Sequence, residues 1–585
     1  MRTALAVLLA VHALAFPAAA ASLVYVSPLP GSDRHRPETN LIARFDRDVS
    51  PAELAPGAIR ASGSRSGDHS GRLTLSDDRR TVIFRPDRPF AHGERVEAFV
   101  SLARSDTPAT FWFEIMAGPS PAIDPASRLE LAAEGNAFRR EFAAGDTVAP
   151  PPITSKWLGP TAPGKLFIAT FQVLGPNIPS YLTVADNEGR PLFQQKRPST
   201  CLDFKLQPDG RITWYELGLS AFVAMDSTTY AIVDTFACGN GYITDLHELL
   251  LLPNGHALLL GLDPQVVDMS AIVAGGNPAA IVLGMIIQEF DAAKNVVFEW
   301  RSWDHFAITD ATYEDLTAAH IDYVHSNALE IDADGNLLLS SRHMDEITKI
   351  DRTTGATIWR WGGKHNEFKF IDDPGFSHQH AIRRVADGRY TLFDNGNFHP
   401  IHVSRAVEYE LDQDARTARA VWQFVNGIDT YGFAMGYAQR LENGNTLVSF
   451  GTGKPDVIEV APDGTKLLEM SLPPGIHSYR VTRSAWSPEK GPPIPIPPGA
   501  FLSAATPNPF RQSTRLSIQL AQPASISVDV FDIAGRRVLS VLKSQPQPAG
   551  VATFAVDLSA LAAGTYFCRL SAGAQSETRK LVLVP

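Results

Sequence analysis

Residues 320–363 read HIDYVHSNALEIDADGNLLLSSRHMDEITKIDRTTGATIWRWGG, and residues 376–397 read FSHQHAIRRVADGRYTLFDNGN. Both stretches share one grammar. A histidine opens an alternating apolar run, an Asp-Gly turn follows, and a second apolar run ends in small polar residues. This is the pattern of a β-hairpin whose turn glycine supplies a positive φ. In the first stretch a second hairpin follows: EITKID, the turn residues RTTG, then ATIWRW. Four short strands per unit is the plan of a propeller blade.

The unit recurs. HELLLLPNGHALLLG starts at His247, GYAQRLENGNTLVSFGTG at Gly436, and a weaker copy, CLDFKLQPDGRITWYE, at Cys201. The turn glycines are Gly210, Gly255, Gly335, Gly388 and Gly444; the long interval between Gly255 and Gly335 implies an insertion, placed at 262–323 with a helical turn. Trp300, Trp359 and Trp422 fall late in their units, where an indole packs between neighbouring blades. SYRVTRSAWS, at 478–487, is placed to return to FIATFQ, at 167–172, and close the ring. These features predict six blades over residues 165–487.

The flanks are of another kind. Residues 1–21, MRTALAVLLAVHALAFPAAAA, have one arginine, an apolar core and a small-residue end, the form of a secretory signal peptide. No other stretch has the length and apolarity of a membrane span. The expected product is secreted, periplasmic or held at the cell surface. Residues 22–118 alternate between Pro, Gly and Asp turns and predict a β-sandwich similar to bacterial immunoglobulin-like domains. Residues 119–164 form a connector with room for one packed segment, and the Pro-rich 488–502 an extended linker. In residues 503–585, NPF, DIAGRRV and AAGTYFCRL resemble the C-terminal sorting domain of type IX secretion, which implies secretion machinery as a partner and no chemistry in the tail. The predicted fold class is therefore all-β: a six-bladed propeller between two immunoglobulin-like sandwiches. A net charge of −11 without a basic tract argues against nucleic acid as a partner. Cys201 and Cys238 allow either a disulfide or two thiols, Cys568 has no evident partner, and no CxxC suggests zinc.

Sixteen histidines is an ordinary number, so position is the signal. His247 and His380 each stand eight residues before their turn glycine, and His325 stands ten before Gly335. Inner strands of successive blades aim such residues at one mouth of the channel. Arg342 follows Gly335 by seven residues; the same offset reaches Asn395 from Gly388, and Gly451, with Thr452 next, from Gly444. By strand alternation Asn327 shares a face with His325, and His378 shares one with His380. The set is made of hydrogen-bond donors without a carboxylate, which suits a tetrahedral oxyanion. A lone histidine near a turn is ordinarily structural; three at matched positions beside an arginine outweigh that. A metal site is the rival reading. It is weakened because Glu248, the one carboxylate adjacent to these histidines, points to the other strand face, so no metal is expected.

DLHELLLLPNGHALLLG, YVHSNALEIDADGNLLLSSR, IWRWGG and HQHAIRRVADGRYTLFDNGN together resemble the bacterial arylsulfate sulfotransferases over residues 165–487. The resemblance implies sulfuryl transfer from a phenolic sulfate to a phenol, without cofactor. It implies His380 as nucleophile, His325, His247 and Arg342 as catalytic partners, and Asn327 and Thr452 as substrate-binding residues. His378 competes with His380 as nucleophile. Which of His247 and His325 is the acid and base stays open. The alternative function is a non-catalytic surface propeller that binds a glycan, a peptide or an anion, for which several inward imidazoles serve no purpose.

Overall fold

The computed structural model describes residues 21–102, 108–123, 150–172, 180–428, 430–486, 500–502, 508–520, 523–547, 550–573 and 575–584. The expected signal peptide, most of the connector and nearly all of the Pro-rich linker lie outside the described residues. Among the described residues the chain is all-β, with short 3-10 turns and no α-helix. No helix among these described residues is long and apolar enough to cross a membrane.

Among the described residues, 150–486 build six sheets in succession, antiparallel apart from two short parallel additions, His320–Asp322 on the third and Lys369–Ile371 on the fifth. Four of them need four sequential strands each. The second sheet holds Cys201–Leu206 through Ile232–Phe236, and the third Ile243–Leu251, Ala257–Val267, Ala280–Phe290 and Val296–Arg301. The fourth holds Ser326–Ile331, Leu337–Ser341, Glu346–Ile350 and Thr357–Gly362, and the fifth His380–Ala386, Arg389–Asp394, Arg405–Asp412 and Thr417–Val425. The two end sheets borrow from the opposite end of the region. In the first, Thr482–Ser484 pairs with Lys165–Thr170, as the returning SYRVTRSAWS segment predicts. In the sixth, Thr154–Trp157 adds to Lys466–Ser471, so the expected connector holds a strand. The turn glycines 210, 255, 335, 388 and 444 all take φ between +67° and +88°, a region that a Cβ makes costly.

The third sheet departs from expectation. Its middle strands, Ala257–Val267 and Ala280–Phe290, are eleven residues long each and absorb much of the predicted insertion. The true excursion is the stretch between Arg301 and Ser326, which carries 3-10 turns at Ser302–Asp304 and Ile308–Asp310. Trp359 joins one apolar core made by the fourth and fifth sheets, with Leu338 and Ile347 on one side and Tyr390, Val407 and Tyr409 on the other. Trp300 is buried and stacks on His305 at 4.6 Å. Trp422 is only half-buried, so the repeat does not seal all three indoles alike.

The chain divides into two compact units. One contains Met1–Leu131, Phe236–Ile401 and Val407–Gln423; the other contains the remainder. In the first unit, two four-stranded N-terminal sheets close on one apolar core that includes Leu41, Phe45, Val82, Phe84, Val96 and Phe113. This domain is fixed to the third sheet by buried polar bonds. Arg36 Nε lies 2.8 Å from Asp263, and the Tyr25 hydroxyl donates to the Glu299 carbonyl at 2.7 Å while accepting its amide at 2.8 Å. In the second unit, two C-terminal sheets enclose a separate core with Leu516, Ile526, Val530, Cys568 and Leu581. This tail domain begins with the strand Ala500–Leu502, three residues ahead of the expected boundary. All three cysteines are free thiols.

Candidate functional site

The first strands of the third, fourth and fifth sheets, Ile243–Leu251, Ser326–Ile331 and His380–Ala386, run side by side. His247 lies within the first, His325 stands immediately before the second, and His380 opens the third. All three imidazoles are buried.

Each ring is held by a device that fixes its proton. His247 Nδ1 lies 2.7 Å from Asp245 Oδ1, which also accepts the His247 amide at 2.9 Å. His325 repeats this with Asp322, at 2.8 Å for Nδ1 and 3.0 Å for the amide. His378 repeats it with Asp345, at 3.0 Å and 2.6 Å. His380 Nδ1 faces the Asn395 carbonyl oxygen at 2.8 Å. A carboxylate or amide oxygen can only accept, so each ring carries its proton on Nδ1 and its lone pair on Nε2. For His325 that Nε2 is buried with no hydrogen-bond partner among the described residues, a state that native structures rarely leave without a purpose.

The rings form a row. Centroids of His247 and His325 are 5.1 Å apart, of His325 and His343 4.5 Å, and of His343 and His378 5.5 Å. Arg342 is fully buried beside the row. Its amide donates to the His325 carbonyl at 3.0 Å, and its guanidinium Nη1 donates to His343 Nε2 at 2.8 Å. His343 in turn donates from Nδ1 to the Asp322 carbonyl. Burial holds His325, His343 and His380 well below the ordinary histidine range. Neighbouring groups push the same way: His247 and Arg342 on His325, His325 and Arg342 on His343 against the Asp322 carboxylate, and Arg342 on His380, where the Asn395 bond opposes it.

The structure thus brings together His247, His325, Arg342 and His380. Asn327 joins them indirectly: its amide donates to the Gln379 carbonyl at 2.7 Å, and its oxygen accepts the Ala381 amide at 3.3 Å, gripping the chain on both sides of His380. Thr452 belongs to the other compact unit, where its hydroxyl lies 3.4 Å from the Ala434 carbonyl.

Two expectations need correction. The histidine set is not free of carboxylates, since Asp245, Asp322 and Asp345 each hold a ring. Glu248 does turn away, to Arg383 at 2.6 Å. Nor do Asn327 and His378 share strand faces with His325 and His380. His325 and His378 take φ of +47° and +55°, both precede their strands, and register shifts follow at Ser326/Ala328 and His380/Arg383. Left-handed residues and bulges break the period of two. His378 therefore faces a different neighbourhood, with Glu314 Oε1 at 3.7 Å and the Phe398 ring at 4.8 Å. Sequence reasoning missed His343, the three aspartates and Glu314. A signal for two of them was present, because Asp245 and Asp322 sit two and three residues before their histidines.

Two sets of groups have metal-like spacing, Asp322 with His325 and His343, and Glu314 with His343 and His378, with candidate ligand atoms within 4.8 Å. Both depend on His343. Because its Nε2 accepts from Arg342 and its Nδ1 carries the proton, it retains no lone pair for a cation.

A family model described as arylsulfotransferase (ASST) matches residues 174–472, and one described as a secretion system C-terminal sorting domain matches residues 505–584. No curated protein matches the chain. Among solved structures, a protein of unknown function from Bacteroides caccae is 14% identical, covers 55% of this chain and 100% of its own, and has a TM-score of 0.36. A catalytically inactive virginiamycin B lyase from Staphylococcus aureus is 10% identical over 55% of this chain and 99% of its own, with a TM-score of 0.27. The periplasmic gluconolactonase of Pseudomonas aeruginosa is 11% identical over 67% of this chain and 98% of its own, with a TM-score of 0.32.

Proposed function

The chain belongs to the arylsulfotransferase family, and on that premise we propose that it moves a sulfuryl group from a phenolic sulfate ester to a phenol through a sulfohistidine on His380. The observation that carries this reading is the Nδ1 bond of His380 to the Asn395 carbonyl oxygen, beside a fully buried Arg342. The bond leaves the Nε2 lone pair as the nucleophile, and burial keeps the ring neutral, so no deprotonation precedes attack.

In the first half-reaction the Nε2 lone pair of His380 forms a bond to sulfur. The bond from sulfur to the aryl oxygen breaks, and the oxygen departs with the electron pair. It leaves as the phenolate and is protonated from solvent. In the second half-reaction Nε2 of His325 or His247 takes the acceptor phenol's proton, the phenol oxygen attacks sulfur, and the N–S bond breaks to restore His380. Asp322 and Asp245, bonded to Nδ1, favour the imidazolium that this step forms, and its proton then returns to solvent. The Arg342 guanidinium opposes the charge that builds on the sulfuryl oxygens. Asn327 positions His380 through the peptides on either side of it. Neither nucleotide nor metal enters the scheme.

The six successive sheets, with a first sheet completed by the last strand of the region, support a six-bladed propeller with an immunoglobulin-like domain on each side. The sorting-type tail supports handling by a secretion system, and the signal-peptide pattern of residues 1–21 supports export by the general route.

The test is direct. Treated with 4-nitrophenyl sulfate and no acceptor, the protein should release nitrophenolate in a burst and gain one SO3 unit on the His380 peptide by mass spectrometry. His380→Ala should lose adduct and transfer. Arg342→Ala should slow adduct formation by about 10²–10³-fold, the usual loss for one buried oxyanion donor. An adduct on His378, or turnover in His380→Ala, refutes the assignment.

A further inference from the structure

Beyond His378 the imidazole row ends on two aromatic rings. Tyr313 and Phe398 stack face to face, with centroids 3.7 Å apart and planes 10° apart, yet 53% of Tyr313 and 47% of Phe398 remain exposed. Phe398 meets His378 edge-on at 4.8 Å, and Tyr313 lies 6.1 Å from it. The rings come from separate segments, both tied down. Thr312 donates from its amide and its hydroxyl to the His343 carbonyl at 2.8 Å and 2.9 Å. On the other side the Phe398 amide reaches the Ser377 hydroxyl at 3.3 Å, and the Gly396 amide the Ser377 carbonyl at 3.0 Å.

The residue after Tyr313 gives this place a sign. The Glu314 carboxylate lies 3.7 Å from both His343 Nδ1 and His378 Nε2, and its side chain is 27% exposed. Asp345, bonded to His378, adds a second carboxylate; partial burial, and then the Asp345 charge, push the Tyr313 hydroxyl pKa upward. Arg342 stands on the far side of His343. The two nitrogens of His343 thus face opposite charges, the Arg342 guanidinium at Nε2 and the Glu314 carboxylate near Nδ1, and on the Glu314 side the row ends in bare aromatic surface. The two substrates differ in the same respect: the donor is an anion and the acceptor is a neutral phenol.

We propose that Tyr313, Phe398 and Glu314 form the acceptor subsite, which binds the ring of a neutral phenol and turns away phenols that carry a negative charge. The proposal rests on the sulfuryl-transfer reading. An aryl ring gains by stacking on an exposed aromatic pair. An anion there meets a carboxylate at short range in a poorly solvated setting, where like-charge repulsion is strong.

The test compares methyl 4-hydroxybenzoate with 4-hydroxybenzoate, acceptors alike in the ring and opposite in charge, with 4-nitrophenyl sulfate as donor. The full-length protein should favour the ester in kcat/KM by at least about tenfold beyond its intrinsic reactivity. Glu314→Gln, which keeps the shape, should shrink that ratio toward one. Phe398→Ala and Tyr313→Ala should raise the ester KM by about tenfold. The nitrophenolate burst without acceptor is recorded for every variant. A burst that falls in step with acceptor turnover assigns these residues to donor binding or to folding and overturns the proposal. So does an unchanged ratio in Glu314→Gln. So does a preference for the anionic acceptor, which the Lys364 ammonium on the Thr309 and Ala311 carbonyls would favour. A wild-type protein that shows no burst fails the sulfuryl-transfer reading itself, and the subsite falls with it.

Discussion

At the scale of single residues, the decisive matter is which nitrogen of each imidazole holds the proton. Asn395 settles it for His380, and Asp322 and Asp245 settle it for His325 and His247. A prediction about pH follows. Histidine ordinarily loses its nucleophilic lone pair as the pH falls through about 6.5. Burial, assisted by the Arg342 charge, holds His380 well below that value, so its neutral form survives into more acid solution. The burst rate with 4-nitrophenyl sulfate should therefore stay level as the pH drops through 6.5 and fail only well below it. Stopped-flow traces across that range check this; a fall centred near 6.5 would mean an exposed, unperturbed imidazole does the work. His247, His325, His380 and Arg342 were legible in the sequence because a repeated hairpin fixes their distance from a turn glycine. Asp245, Asp322, Asp345 and His343 were not. The hairpin repeat does not encode them: the spacing of Asp245 and Asp322 to their histidines was their one signal, Asp345 and His343 carried none, and left-handed backbone at His325, His378 and Asp345 departs from strand alternation. Such residues cost about 1–3 kcal/mol each, which the surrounding packing must sustain.

At the scale of elements, the site depends on how firmly neighbouring sheets hold one another. Asn327 crosses from the fourth sheet to the peptides around His380, and Gln379 sends its side-chain amide back to the Glu346 carbonyl at 3.1 Å. Behind these polar ties lies the apolar core shared by the two sheets, with Trp359 in it. Trp359 Nε1 also donates to Gln413 at 3.0 Å, so the indole serves by its area and by its one donor. Trp359→Ala should lower stability by about 3–5 kcal/mol, the range for a buried aromatic, as read from denaturant unfolding followed by fluorescence. A loss under about 1 kcal/mol would show that the sheets do not rely on this contact. The hairpins were readable from Asn-Gly and Asp-Gly turns, and the closing pair from the apolar alternation of SYRVTRSAWS. The eleven-residue strands of the third sheet were not, because the turn signals that mark the bend, Gly275-Gly276 and Asn277-Pro278, stand far beyond the Asn254-Gly255 turn and read as part of an insertion. Tyr313 and Phe398 lie in irregular segments, where no period predicts a stack.

At the scale of the whole molecule, the parts can be separated by what they carry. The tail from Ala500 onward has its own core and holds none of the candidate site residues. Removal of residues 500–585 should leave kcat/KM of the purified enzyme within about twofold while abolishing delivery outside the cell; loss of activity in a folded truncation would show the site to be misplaced. Stability as a function of pH tests the chain as one body. Burial, with a nearby positive group in each case, lowers His35, His325, His343 and His380 far below their ordinary range, and lowers His305 and His477 to about 4. These rings bind fewer protons folded than unfolded. Their contribution is complete above the unfolded value near 6.5 and is lost progressively as the pH falls below it. His256 acts in the opposite sense. Its bonds to Glu289 and Asp77 raise its pKa, so its contribution is present at low pH and fades as the pH rises through the folded value. Among the histidines the lowered rings, His69 included, outnumber the one raised, so their share of the unfolding midpoint in denaturant should fall from pH 7 toward pH 5, opposed by buried carboxylates such as Glu299 and Asp322 whose pKa burial raises. Restoring charge-free packing at one of them isolates the cause. His35 is a buried ring against the Arg301 guanidinium at 2.9 Å, remote in sequence from the proposed catalytic residues. His35→Gln, which keeps an acceptor for Arg301 but cannot take up a proton, should flatten part of that slope without altering the nitrophenolate burst; an unchanged slope would place the acid sensitivity elsewhere.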